Sequence, residues 1–189
     1  MKLSSTRSKE YEIIQKVLEK EIQDGQNIIE VGCGNALMSY ELKLKKHHVK
    51  VSLLDINKKT ILGLKKNFKK TPLIVGDILN LPFKSNAFDV AYNEGVIEHT
   101  DTEKAIKEMC RISKKIIIFV PNGGHPVYLG KKYFRKLIGK WPWDELYGKE
   151  RNITLRMLEK WIEKSNFKIK KIFTFSFRFP QICVIAERS

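Results

Sequence analysis

Five carboxylates and two glycines carry the first chemical signal in this chain. Glu30, Asp55, Asp77, Glu94 and Glu98 each stand at or just past the end of a short apolar run, in NIIEV (27–31), HVKVSLL (48–54), PLIVG (72–76) and AFDVAY (87–92). Glu30 leads into Gly32-Cys33-Gly34-Asn35-Ala36. Glycines at a strand-to-helix turn permit positive φ and let a ligand approach the backbone, and the helix that follows aims unbonded N–H groups at it. Gathered carboxylates repel one another and are costly to desolvate, so a chain that gathers them is expected to match them with a cationic or hydroxyl-rich ligand. A dinucleotide site wants GxGxxG. The third glycine position here is Leu37, and Glu30 would crowd a pyrophosphate. Asp55 suits a ribose contact in either kind of site. His99, in GVIEHT, reads as a general base or as a structural partner of Glu98 and the next helix. His125, in PNGGHP, reads as a base or acceptor contact, or as a polar turn residue. His47 and His48 fall in a charged loop, KLKKHHVK, expected on the far side of the sheet.

The elements that must position these residues alternate in type. Helical periodicity covers 10–22, 36–44, 57–68 and 101–112, with Asn57 and Asp101 as N-caps. Between them lie the short apolar strands, joined by KIIIFV at 115–120, which Pro121 halts. Such alternation predicts a parallel sheet with right-handed crossovers, and ligands of these sheets bind beyond the strands' carboxyl ends. A helix over 154–167 and strands over 168–179 and 181–187, reversing at Pro180, predict an antiparallel hairpin at one side of the sheet. Residues 121–152 are rich in Gly, Pro and aromatics, among them Tyr128, Tyr133, Trp141, Trp143 and Tyr147. They read as an insertion over the sheet edge, serving as acceptor pocket and lid or simply packing on the domain.

The chain has 189 residues, the size of one domain. Its 42% hydrophobic and 30% charged content is that of a globular protein. Its apolar runs fall far short of the ~20 residues needed to cross a bilayer, and the N-terminus is polar with no secretory pattern, so a cytoplasmic location is expected. Cys33, Cys110 and Cys183 are widely spaced without a CxxC pair, which predicts buried free thiols rather than a disulfide framework or a zinc ribbon. The net charge is +15, of which residues 1–99 carry +4 and residues 100–189 carry +11. That imbalance suits nucleic acid, but 29 of the 36 basic residues are Lys. Phosphate and base recognition often use Arg forks, so a solvated Lys-rich surface is the simpler account.

Taken together, IIEVGCGNA, DIN (55–57), GDILNLPF (76–83) and FDVAYNEGVIEHT (88–100) resemble the motifs of class I S-adenosylmethionine-dependent methyltransferases, in the type 11 branch that includes quinone-biosynthesis enzymes. Ala36 stands where the third glycine of motif I falls. The resemblance is close over 27–122 and otherwise one of topology. It implies a single Rossmann-like domain over 1–189: a seven-stranded, mostly parallel sheet with helices on both faces and an antiparallel C-terminal hairpin. It implies S-adenosylmethionine as cofactor and S-adenosylhomocysteine as product. Glu30, Gly32 and Gly34 would hold the methionine part, Asp55 the ribose hydroxyls and Ile56 the adenine face. Asp77 would bond the adenine amino group with Ile78 beside the ring, and Asn93 would sit near the sulfonium and amino-acid end. The Glu-His pair recurs in the family across many acceptors. Some small-RNA 2′-O-methyltransferases bind a metal through ExxEH and a distant His. Here the first acid of that pattern is replaced by Gly95, so no metal is expected. The implied acceptor is a small molecule. A tRNA or rRNA acceptor, or a non-catalytic cofactor-binding partner subunit, are the alternatives, and the oligomeric state is left open.

Overall fold

Side chains that point alternately to the two faces of the sheet build two apolar layers, one on either side. The computed structural model describes residues 5–46, 48–126, 130, 151–175 and 180–189. Its seven strands are β1 (Asn27–Val31), β2 (Lys50–Asp55), β3 (Leu73–Val75), β4 (Phe88–Glu94), β5 (Ser113–Pro121), β6 (Phe167–Phe175) and β7 (Gln181–Arg188). They form one sheet in the order β3-β2-β1-β4-β5-β7-β6. In β5, Ile116, Ile118 and Val120 face one layer and Ile117 and Phe119 the other, the period of two that a sheet covered on both faces demands. Helices α1 (Ser5–Glu21), α2 (Leu37–Lys45) and α3 (Lys58–Leu64) supply Leu18, Leu42 and Ile61 to one layer. Helices α4 (Thr102–Ile112) and α5 (Leu155–Lys164) supply Ile106, Met109, Leu158 and Ile162 to the other. The doubly wound, mostly parallel sheet is the one the sequence pattern predicts.

The helix caps also match. Asn57 Oδ1 accepts from Lys59 N and Thr60 N, and Asp101 Oδ1 accepts from Lys104 N. The hairpin is antiparallel as expected, but β7 lies inside, pairing with β5 as well as with β6. The reason is composition: β7 is buried from Ile182 through Ala186, whereas β6 alternates with lysines and tolerates the edge. Helix α3 ends at Leu64 rather than at Phe68, because the chain turns there and sends Phe68, 5% exposed, into the core. A 3₁₀ turn, Ile97–His99, follows β4 where no element was expected.

His47, the reversal at 176–179, and the aromatics Tyr128, Tyr133, Trp141, Trp143 and Tyr147 lie outside the described residues. The described ends of the expected insertion meet at the carboxyl edge of the sheet. Gly123 N donates to Ile153 O and Arg151 N to Glu98 O. All three cysteines are buried and free. Among the described residues no helix is long and apolar enough to cross a membrane.

Candidate cofactor site

The loop after β1 is folded back onto β2. Gly32 N and Cys33 N both donate to Leu54 O, at 2.7 and 2.9 Å. The turn needs left-handed backbone at Gly32 (φ 75), Gly34 (φ 49) and Ala36 (φ 53). A Cβ on Gly32 would lie 2.5 Å from Val96 Cγ2, so the segment after β4 closes on this glycine. A Cβ on Gly34 would meet no heavy atom of the described residues within 4 Å, so among these its backbone is open to approach. Ala36 accepts the same left-handed geometry at the start of α2, at a cost of about 1–2 kcal/mol.

Asp55 ties this loop to the end of β2. Its Oδ2 accepts from Gly34 N at 2.9 Å and its Oδ1 from Asn57 N at 2.8 Å. A carboxylate offers about four lone-pair sites, so acceptor capacity remains for a ligand's hydroxyls. Ile56, next in the chain, is 70% exposed, an apolar side chain at the lip of the sheet. Asp77 is also exposed, and its Oδ1 accepts from Leu79 N in a tight turn. Ile78 instead packs inward at 8% exposure, in the same apolar layer as Leu54 and Leu81. The Asp77 turn is clamped onto α4: Arg111 pairs with both oxygens of Glu108 and donates to Phe83 O and Leu81 O.

Glu30 does not join an open ring of acids. It is 4% exposed, beneath the first turn of α2. Tyr92 Oη donates to Glu30 Oε2 at 2.9 Å, and Ser39 Oγ lies 2.5 Å from Tyr92 Oη. Burial pushes the Glu30 carboxyl up to about 7, hydrogen bonds from Ser39 and Tyr92 acting the other way. Helix α1 braces the same turn, with Tyr11 Oη donating to Leu37 O and Gln15 Nε2 to Met38 O. Sequence reasoning missed Tyr92 and Ser39. The parallel register, which sets Glu30 against Tyr92, is the signal that points to the first of them.

Asn93 is fully buried, and its Nδ2 donates to Val31 O at 2.6 Å, one residue before Gly32. Among the described residues its Oδ1 has no hydrogen-bond partner. A buried acceptor in that state costs about 1–3 kcal/mol, and a donor carried in by a ligand would relieve it. The open approach at Gly34, the spare capacity of Asp55 and this orphaned oxygen all fit a ligand that offers hydroxyls and N–H donors.

Glu98 and His99 lie on the 3₁₀ turn. Glu98 is 3% exposed, and His99, exposed, has Nε2 4.0 Å from Glu98 Oε1. His125 is half-buried in the turn after β5, where its N–H donates to Asn122 O. The two histidines therefore stand on separate turns of one sheet edge. Among the described residues no group of three or more His, Cys, Asp and Glu is placed to hold a metal ion.

A doubly wound sheet whose first strand ends in a glycine turn strapped to an acid on the second strand defines a Rossmann-like domain, whose ligand edge lies at the carboxyl ends of the strands. Comparison with known proteins narrows this. Residues 29–119 match the family described as Methyltransferase domain. Demethylmenaquinone methyltransferase of Desulfitobacterium hafniense is 30% identical over 102 residues, 50% of this chain and 40% of that protein. Probable tRNA methyltransferase 9B of Bos taurus is 28% identical over 151 residues, 75% of this chain and 30% of that protein. The crystal structure of magnesium protoporphyrin IX methyltransferase from Synechocystis with bound SAH shares the fold, with a TM-score of 0.78 at 15% identity, over 100% of this chain and 90% of that one. The chain spans less than half the length of the curated relatives it matches. The match over residues 29–119, with the methyltransferases among the relatives, makes the class I S-adenosylmethionine-dependent methyltransferases the family this chain resembles.

Proposed function

We propose that this chain is an enzyme that moves a methyl group from S-adenosylmethionine to a small-molecule acceptor by in-line displacement, releasing S-adenosylhomocysteine. The observation that carries the reading is the glycine turn whose Gly34 N–H is bonded to Asp55 at 2.9 Å while the approach to Gly34 stays open. When bound, the sulfonium cofactor supplies a methyl group already activated for transfer. What remains for the protein is positioning, which can contribute roughly 7–11 kcal/mol of the barrier.

In this reading Gly32 and Gly34 let the methionine part lie along the loop, and Glu30 acts from beneath α2 as the nearby negative charge. Asp55 accepts from the ribose hydroxyls and Ile56 covers one adenine face. Asp77 accepts from the adenine amino group, with Ile78 supporting the turn from inside. Asn93 accepts through its orphaned Oδ1 at the amino-acid end. For an oxygen or nitrogen acceptor a proton must also leave. His99, with Nε2 4.0 Å from Glu98 Oε1, is the first candidate to take it, and His125 the second.

A small-molecule acceptor is supported by the likeness to demethylmenaquinone methyltransferase. An RNA acceptor is the second reading, favoured by the relative matched over 75% of this chain and by the +11 charge of residues 100–189. Methyl-labelled S-adenosylmethionine, offered with a quinol panel and separately with bulk tRNA, tests both. Label in a quinol supports the first reading and label in tRNA the second. Failure of S-adenosylhomocysteine to bind in calorimetry would overturn the cofactor assignment under either.

A further inference from the structure

The acid that leads into the glycine loop is enclosed by two hydroxyl side chains from different elements. Tyr92 of β4 and Ser39 in the first turn of α2 are both 0% exposed. Tyr92 Oη donates to Glu30 Oε2, and the Ser39 and Tyr92 oxygens are 2.5 Å apart. The Ser39 hydroxyl and backbone N–H also favour the ionised Glu30 carboxyl, opposing the effect of its burial. The three side chains therefore close a ring. With Glu30 ionised, Ser39 donates to Tyr92, Tyr92 donates to the carboxylate, and the Ser39 N–H supports it. With Glu30 protonated, the new proton is donated to Ser39 Oγ, and each oxygen both gives and receives. Neither state strands a buried polar group, the usual obstacle to titrating a carboxyl in place.

We propose that Tyr92 and Ser39 are positioning residues of the cofactor site: they hold the Glu30 carboxyl against the first turn of α2 in both protonation states, and so link binding of the cationic methyl donor to release of a proton. The inference rests on the methyl-donor reading above. Glu30 changes state near neutral pH because burial pushes it up to about 7. The other titratable groups that act with it are Glu94 and Tyr92 of β4, Cys33 in the loop and Tyr11 of α1, and Asp55 in turn acts on Cys33. Burial holds the Cys33 thiol up at about 12 and raises Tyr11 and Tyr92, so all three keep their protons across the neutral range. Beside these three groups, Glu30 is the one placed to switch charge when a cation arrives.

Calorimetry of the full chain with S-adenosylmethionine and with S-adenosylhomocysteine, from about pH 5.5 to 8.5 in buffers of different ionisation enthalpy, reads this linkage directly. S-adenosylmethionine affinity should fall by up to about tenfold per pH unit below the Glu30 midpoint, with proton release approaching one per site. The fall should be shallower for S-adenosylhomocysteine, which lacks the sulfonium charge. Tyr92→Phe removes a donor to the carboxylate and Ser39→Ala removes the hydroxyl that supports that donor, so the midpoint should move up, by about one pH unit for Tyr92→Phe, and Glu30→Gln should flatten the profile. If Tyr92→Phe does not fold, Ser39→Ala and Glu30→Gln carry the test. A flat profile without proton release in the unaltered protein overturns the proposal. So does a Tyr92→Phe or Ser39→Ala protein whose affinity drops equally at every pH with the midpoint unmoved. Failure of both compounds to bind at any pH overturns the methyl-donor reading and this proposal with it, whereas pH-independent binding overturns the proposal alone.

Discussion

Gly34→Ala separates what the glycine turn does for folding from what it does for a ligand. The position has φ 49, and an added Cβ would touch no heavy atom of the described residues within 4 Å. The folding cost is therefore the left-handed backbone alone, about 1–2 kcal/mol. In a chain of this length that lowers the melting temperature by about 2–8 °C. Gly32→Ala carries the same backbone cost and adds an overlap with Val96 at 2.5 Å. Overpacking of that kind adds about 1–3 kcal/mol, so the total reaches about 2–5 kcal/mol and the melting temperature falls by about 4–20 °C. If the methionine part of the cofactor lies along Gly34, a methyl group there displaces it, and affinity for S-adenosylhomocysteine should fall tenfold or more, about 1.4 kcal/mol. Thermal melts with and without ligand read both effects, since ligand at a hundred times Kd adds about 2.7 kcal/mol of stability to a competent site. The unaltered protein should gain that increment and Gly34→Ala should lose about half of it or more. A Gly34→Ala protein that binds as tightly as its parent refutes the placement of the ligand. One that melts as early as Gly32→Ala refutes the steric distinction between the two glycines.

Other perturbations test neighbouring parts of the site. Asp55→Ala should weaken S-adenosylhomocysteine binding by roughly 1–3 kcal/mol by leaving hydroxyls unpaired, and unchanged affinity in calorimetry would mean that Asp55 is misassigned. Arg111→Ala releases the Asp77 turn from α4, so stability should fall by about 1–3 kcal/mol in urea titration, with a parallel loss of nucleoside affinity. Between the ordinary 4.5 and about 7 the folded chain holds a proton at Glu30 that the unfolded chain has released. Stability without ligand should therefore decline as pH rises through that window, by up to about 3 kcal/mol. Glu30→Gln should be the more stable protein at pH 8 and about equal at pH 4, which denaturant midpoints at the two pH values decide. Burial holds all three thiols up at about 12, so a thiol-specific dye should label the native chain slowly and the unfolded chain fully.

Much of this architecture follows from local rules. Apolar runs that end at an acid or a glycine become parallel strands because both faces of the sheet are buried, and Asn57 and Asp101 cap the helices they precede. The position of β7 between β5 and β6 does not follow from hairpin periodicity, which permits either strand to lie inside. Burial of the uninterrupted apolar stretch from Ile182 to Ala186 decides it. The 3₁₀ turn at Ile97–His99 is likewise a tertiary product. Gly95, at φ 69, turns the chain off β4, its N–H donates to Phe119 O, and the carbonyl of Ile97 takes the Thr102 hydroxyl.

The site divides along the same line. Gly32, Gly34 and Asp55 are legible in the amino-acid order, because a left-handed turn between strand and helix and an acid at the next strand end are chain-local features. Glu30 is legible as an acid but not as a buried one. Its enclosure depends on Tyr92, 62 residues away, and on the way α2 descends over β1 to present Ser39. Local sequence sets backbone conformation and burial preference through short-range sterics and period. Which polar groups meet in the interior is settled by register and by helix docking, and these depend on the packing of the whole sheet.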